Sequence, residues 1–368
     1  MNVISRRVLE RIPGNCAFRP IIARRRHLSQ KTKPSELARD FAFAFDIDGV
    51  LIRGAKALEE GKEALKYLRE HNIPWILLTN GGGKSETERV EGLSAQLGID
   101  IHVDQFVQSH TPFKRLVHRY DKVLVVGGDR DKCRHVAQDY GFKDCVMPVD
   151  VLASNKSVWP FHRFAQDDFL LSRPLSSEKF DAVLVFNDPR DWGCDTQVII
   201  DVLTSDNGYY GTKSSQLKQT VPIYFSNDDL LWANEYPHPR FGQGAFRRGI
   251  ETVYKEYSGA ELESTIIGKP FLFTYEYAHS VLNDWRRHAF GYTNDVHRVY
   301  MVGDNPASDI RGGNGYGWDT LLVKSGVYKD GDKLDSRSKP RAVVDNVLAA
   351  VKLAVELEIK HKLKNTST

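Results

Sequence analysis

Cysteine is scarce in this chain. Four occur in 368 residues, Cys16, Cys133, Cys145 and Cys194, and no two of them form a CxxC pair. That spacing favours neither a zinc site nor a disulfide framework, and a reduced interior is expected. No uncharged apolar stretch approaches the roughly 18 residues of a membrane-spanning helix. The 28 Gly and 15 Pro are close to average usage, so no segment reads as low-complexity, and no internal repeat is evident. What is present, 41% hydrophobic and 27% charged residues, suits a globular chain of about two domains.

Acidic residues are nearly missing from the N-terminus. Residues 1–28 hold seven Arg and a single acid, Glu10, with short apolar runs between the arginines. Such a segment is expected of a mitochondrial transit peptide, and Arg26-His27-Leu28-Ser29 suits a matrix-protease cleavage point. A basic arm for nucleic acid or anionic lipid is the competing reading. Removing residues 1–28 lowers Lys+Arg from 51 to 44 and Asp+Glu from 48 to 47, turning a net +3 into −3. The basic balance therefore belongs to the leader, and no nucleic-acid partner is expected.

Four apolar runs end abruptly in polar residues. Phe41 to Phe45 (FAFAF) is too short for a helix, reads as a strand buried on both faces, and stops at Asp46-Ile47-Asp48-Gly49. Ile73 to Leu78 stops at Thr79-Asn80, after a stretch whose spacing (Leu58, Ala64, Leu65, Leu68) predicts a helix over 58–69. Thr265-Ile266-Ile267 stops at Gly268-Lys269-Pro270, and Val299 to Val302 stops at Gly303-Asp304-Asn305-Pro306. Alternating strand and helix imply a doubly wound, Rossmann-like parallel α/β sheet, whose strands' carboxyl ends share one crevice. Carboxylates, a hydroxyl and an ammonium gathered there suit a Mg²⁺-assisted reaction on a phosphate. A calcium loop is excluded, because the twelfth position from Asp46 is Ala57 rather than an acid.

The stretch Leu77 to Ser85 (LLTNGGGKS) looks like a Walker A loop, but that loop needs a glycine where Leu78 stands. Ser85 is better read as the cap of a helix beginning near Glu86, which leaves Lys84 outside any phosphate site.

In this order, DIDGV, LLTN, GKP and GDNPASDI resemble the four motifs of the haloacid dehalogenase superfamily of phosphohydrolases. The resemblance covers about residues 40–345 and is nearest the mitochondrial branch typified by cat eye syndrome critical region protein 5 and its fungal relatives. It implies a phosphoric monoester hydrolase with a large α/β cap inserted between the second and third motifs. Asp46 would attack phosphorus to form an aspartyl-phosphate. Asp48 would protonate the leaving alcohol and later deprotonate water. Thr79, with the Asn80 and Gly81 amides, would bind phosphate oxygens, although Thr79 alone would pass for a hydroxyl satisfying its own turn. Lys269, otherwise a solvated surface lysine, would hold phosphate and Asp46 together. Asp304 would complete Mg²⁺ coordination with Asp46 and the Asp48 carbonyl, and Asp309 would hold a metal-bound water or a neighbouring ligand.

The expected division is a core of residues 40–105 and 226–345, a cap of 106–225 and a C-terminal helix of 346–368 with apolar spacing at Val347, Val351 and Val355. Within the cap, Val123–Val126 ends at Gly127-Gly128 and Ala182–Phe186 at Asn187-Asp188-Pro189, while Ile223-Tyr224-Phe225 is expected to return the chain to the core. Residues 154–177 read as an irregular insertion. Cap specificity is sought in Asp188, Arg190 and Trp192, against a plain turn with a packed Trp. Gly82 and Gly83 depart from the superfamily, where many members carry bulkier residues. The substrate is a small phosphorylated metabolite that the sequence does not name, and a homo-oligomer is compatible with it. A non-catalytic binding protein on the same fold and a phosphotransferase are the alternatives.

Overall fold

The computed structural model describes residues 34–162, 164–175, 179–232, 238 and 240–365. The proposed leader and Cys16 lie outside them. Eleven strands make two fully parallel sheets: β1 (Phe41–Phe45), β2 (Trp75–Leu78), β3 (Phe106–Val107), β4 (Lys122–Val126), β5 (Asp144–Val146), β6 (Ala182–Val185), β7 (Ile223–Phe225), β8 (Ser264–Ile266), β9 (Arg298–Gly303), β10 (Asp319–Val323) and β11 (Ala342–Val344). The larger sheet has the order β11-β10-β9-β1-β2-β3 and the smaller β8-β7-β6-β4-β5.

The FAFAF run shows why β1 is central. Successive side chains point to opposite faces, so Phe41, Phe43 and Phe45 enter one core and Ala42 and Ala44 the other. On the phenylalanine face pack the helices Glu59–Glu70 and Val347–Asn365, whose Val347, Val351 and Val355 turn inward. On the alanine face, the small side chains leave room for Tyr275, Ala278 and Leu282 of the helix Leu272–Phe290. With helices on both faces, the sheet is doubly wound, as expected.

Strand membership differs from the expected division. Phe106–Val107 pairs with β2 in the larger sheet, although the cap was expected to start at 106. Ile223–Phe225 does not return the chain to the core but pairs with β6 in the smaller sheet. Ser264–Ile266, counted with the core runs, is that sheet's edge strand, joined to β7 through the helix Gln243–Ser258. The parallel pairing Ile223↔Ser264 requires such a crossover helix, whose Phe246, Ile250 and Tyr254 pack on the smaller sheet. Part of the expected insertion is regular, with short helices at Lys156–Val158 and Gln166–Leu170.

Candidate active site

The carboxyl ends of β1 and β9 lie side by side, since Phe45 pairs with Val302 and the Asp46 amide donates to the Val302 carbonyl at 2.9 Å. Asp46 and Asp304 therefore emerge next to each other. A π-helical turn, Pro306–Ile310, then brings Asp309 back beside them. Ligand oxygens of Asp46, Asp304 and Asp309 all lie within 4.8 Å of one another, and all three residues are buried. Lys269 reaches the cluster from the end of the smaller sheet, its Nζ donating to Asp46 Oδ1 at 2.5 Å and to Asp309 Oδ1 at 2.7 Å.

Each member is held from behind. Asp309 Oδ2 accepts from the Asn305 amide at 3.0 Å, and Asn305 Oδ1 caps the turn through the Ala307 amide at 2.9 Å. Asp304 Oδ2 accepts from the Val327 amide at 2.7 Å, and Gly326 permits that approach, because a Cβ there would stand 1.9 Å from the same oxygen. Burial pushes the Asp304 carboxyl up to about 7, with Asp309 adding to it. Burial likewise drives Asp46 well above the carboxylate range; Lys269 pulls it back, while Asp309 and Asp304 raise it further. For Lys269, burial disfavours the ammonium, but the two carboxylates outweigh it and raise its pKa. Three ionised carboxylates against one ammonium leave two negative charges in excess. A buried imbalance of that kind favours a proton or a cation in the cluster, so these acids could hold a metal ion.

Two family models match the chain, the haloacid dehalogenase-like hydrolase over residues 43–143 and a HAD-hydrolase-like model over 266–350. A mitochondrial hydrolase of Saccharomyces cerevisiae is 45% identical over 342 residues, covering 87% of this chain and 96% of that protein. The chain belongs to the haloacid dehalogenase-like hydrolases. A cardiolipin synthase/mitochondrial hydrolase fusion protein of Schizosaccharomyces pombe is 43% identical, over 93% of this chain and 58% of the fusion. The fold matches the p-nitrophenyl phosphatase of Archaeoglobus fulgidus with a TM-score of 0.59 at 19% identity, covering 85% and 98% of the two chains.

The remaining expected residues of this hydrolase fall into place unevenly. The Asp48 carboxylate stays outside the acidic cluster, its side chain 60% exposed and 3.8 Å from Arg89. Thr79 is buried at the end of β2, where its Oγ1 accepts from the Gly81 amide at 3.0 Å. The hydroxyl thus satisfies its own turn, and among the described residues its O–H meets no acceptor. Asn80 acts as a clasp between the sheets: its Oδ1 accepts from the Lys269 amide (2.7 Å), and its Nδ2 donates to the Lys269 carbonyl (2.9 Å) and Asp229 Oδ2 (3.2 Å). Ser85 caps the helix Glu86–Leu97 through the Glu88 amide at 3.2 Å, and Lys84 pairs with Glu88 on the surface.

The glycine run meets the smaller sheet. Gly83 has φ +87°, and a Cβ there would stand 1.9 Å from Asn187 Nδ2. Its amide donates to His110 Nε2 at 3.2 Å, which leaves the Nδ1 proton for the Tyr140 hydroxyl at 2.8 Å. Burial lowers His110 to about 4, so this ring is neutral at ordinary pH. Tyr140 in turn donates to Glu86 Oε1 at 2.5 Å. Of the expected specificity residues, Trp192 packs edge-on against Phe246, Asp188 is half-buried and Arg190 is exposed.

Sequence reasoning missed Asn227 and Asp229. Asp229 sits beside Asn80, pushed up to about 6 by burial. Its signal was available, since Ser226-Asn227-Asp228-Asp229 is one more polar ending after an apolar strand. Tyr275, whose hydroxyl donates to the Ser308 and Asp309 carbonyls at 3.2 Å, carried no sequence signal.

Proposed function

We propose that the protein is a Mg²⁺-dependent phosphatase of a small phosphorylated metabolite, working through an aspartyl-phosphate on Asp46. The observation that carries this is the buried set of Asp46, Asp304 and Asp309 with Lys269 bonded to two of them. The donor set is all oxygen, with no His or Cys, and its net charge is negative, so it fits a hard divalent ion such as Mg²⁺. Asp46, Asp304 and the Asp48 carbonyl would hold the ion, with Asp309 behind them. When bound, the ion neutralises phosphoryl oxygens and orients the group for in-line attack.

The chain's own groups carry the steps. Lys269 draws the phosphoryl group toward Asp46, and the Thr79 hydroxyl with the Asn80 and Gly81 amides fixes its oxygens. An Asp46 carboxylate oxygen forms a bond to phosphorus as the bond from phosphorus to the alcohol oxygen breaks. Asp48, exposed two residues beyond Asp46, gives that oxygen its proton. A water then attacks phosphorus, its proton returns to Asp48, and the Asp46–phosphorus bond breaks to release inorganic phosphate. The smaller sheet forms the cap that covers this centre, and Asn80 ties it to the larger one. The names of two relatives and the arginine-rich leader support a mitochondrial, matrix location.

Purified protein should hydrolyse p-nitrophenyl phosphate with Mg²⁺ and lose that activity on chelation. Asp46→Asn should lower kcat by at least about 10³-fold with the fold intact. A folded, Mg²⁺-loaded wild type that leaves a broad panel of phosphate esters untouched sinks this reading. Product with no free phosphate would point to transfer instead.

A further inference from the structure

The carboxyl edge of the smaller sheet serves two places. At the β8 and β7 end, Lys269 and Asp229 enter the hydrolase centre. At the other end, beyond β4, β5 and β6, the chain closes around a separate cavity of about 300 Å³. Two strand spacings separate β8 from β6, the nearest strand whose following loop lines the cavity, so roughly 10 Å of sheet edge divides the strand that feeds Lys269 from it. Carboxyl edges of parallel sheets are where ligands bind, and this volume matches a compact small molecule.

Its lining is in part apolar, with Met147, Val149, Phe164 and Leu171, and in part charged, with Asp129, Asp131, Asp168, Asp191, Asp195, Arg130 and Arg190. Four of the five acids have partners. Asp129 pairs with Lys132 at 3.0 Å, Asp131 with His135 at 3.1 Å, Asp168 accepts from the Ala165 amide at 2.8 Å, and Asp191 caps a helix through the Cys194 amide at 3.1 Å. Asp195 has no partner among the described residues. It stands in the first turn of the helix Trp192–Leu203, is 6% exposed, and lines the cavity. Burial, with Asp191 adding, pushes its carboxyl up to about 8. A buried carboxylate without a donor is unfavourable, and a cationic donor brought into the cavity would relieve it.

We propose that this cavity is a second small-molecule site, separate from the hydrolase centre. It takes a compact amine whose ammonium pairs with Asp195 and whose hydrocarbon part packs on Met147, Val149, Phe164 and Leu171. The loop after β6 borders both places, since the Gly128 amide donates to the Asp188 carbonyl at 3.1 Å and Asn187 packs on Gly83.

The test is calorimetry and thermal denaturation of the full chain near pH 8, with phenethylamine and hexylamine as probes. Phenethyl alcohol and hexanol serve as uncharged counterparts. Both amines should bind with one-to-one stoichiometry and raise the midpoint by about 2–5 °C at ten times Kd, and the alcohols should not. Asp195→Asn should weaken the amines at least about tenfold, the scale of a lost charge-assisted pair. Leu171→Lys should do the same by supplying an ammonium from the chain, and it checks the assignment should the first variant fold poorly. Saturating phosphate and Mg²⁺ should leave amine affinity within about twofold, as for independent sites. The proposal is overturned if the wild type ignores both amines, if alcohols bind as well as amines, if both folded variants keep full affinity, or if phosphate competes.

Discussion

The two sheets present the same architectural edge with opposite charge arrangements. At the larger sheet, Asp46 and Asp309 have a cation from the chain itself, Lys269 at 2.5 and 2.7 Å. At the far end of the smaller sheet, Asp195 is also buried but pairs with no cation among the described residues, although Arg130 and Arg190 line the same cavity. Topology therefore places carboxylates at both edges, and the residues that arrive afterwards decide what each edge can do. In the first, the ammonium and the amides behind Asp304 and Asp309 fix three acids in one arrangement. In the second, the protein leaves the charge to be met from outside.

Removing the internal cation is the harshest way to break the contrast. Lys269→Met would leave three buried acids with no ammonium and should destabilise the fold by about 3–5 kcal/mol, read by urea denaturation. Added Mg²⁺ should recover part of that loss, because it binds only the folded cluster. A variant as stable as wild type without metal would show that Lys269 is not what balances these acids.

The joint between the sheets comes next. Gly83→Ala places a Cβ at φ +87° against Asn187, so the loop or the cap must shift. A loss of about 1–3 kcal/mol is expected, the scale of a strained backbone position. The affinity of inorganic phosphate should fall as well, because Thr79 and Gly81 share that loop.

The pH dependence of stability separates the two edges further. Asp195 titrates near 8 when folded against 3.8 as the reference, so the folded chain holds this proton over that window and the unfolded chain does not. Stability should fall as pH rises from about 4 to about 8, by at most about 1.4 kcal/mol per pH unit from this group. Asp191 raises this carboxyl further, while Arg130, Arg190 and the other acids line the same cavity. Asp195→Asn should flatten this part of the profile and make the chain more stable near pH 8. Parallel profiles for the two proteins would remove the claim that Asp195 is a buried, unmet charge.

Much of the first edge was legible in the sequence. FAFAF, LLTN, GKP and GDNPASDI are local signals, and each puts a chemically distinct group at a strand's end. The convergence of Asp46, Thr79 and Asp304 followed from the larger parallel sheet, whereas Lys269 arrives from the smaller one. Strand membership was not legible, because a three-residue run such as Ser264–Ile266 carries no mark of the sheet it joins. That choice is made by the helix Gln243–Ser258, which must pack Phe246 and Ile250 on the smaller sheet. The second edge was hidden for a different reason. Asp195 lies inside an amphipathic helix, and only tertiary packing turns an ordinary helical acid into an unpaired one.

The smallest expected effect concerns the residue that looked most like a nucleotide ligand. Lys84 follows three glycines, yet its ammonium lies on the surface, 2.8 Å from Glu88 one helical turn on, with both side chains about half exposed. Such a pair contributes about 0.3–0.5 kcal/mol. Lys84→Ala should therefore lower stability by no more than that and leave kcat and KM for p-nitrophenyl phosphate unchanged. Ser85→Ala should remove the cap of the helix Glu86–Leu97, lowering stability by about 1 kcal/mol, again without touching turnover. If Lys84→Ala instead abolishes phosphate binding, the phosphate is held by the glycine-lysine loop. The division of labour between Lys269 at the cluster and Lys84 at the surface would then be wrong.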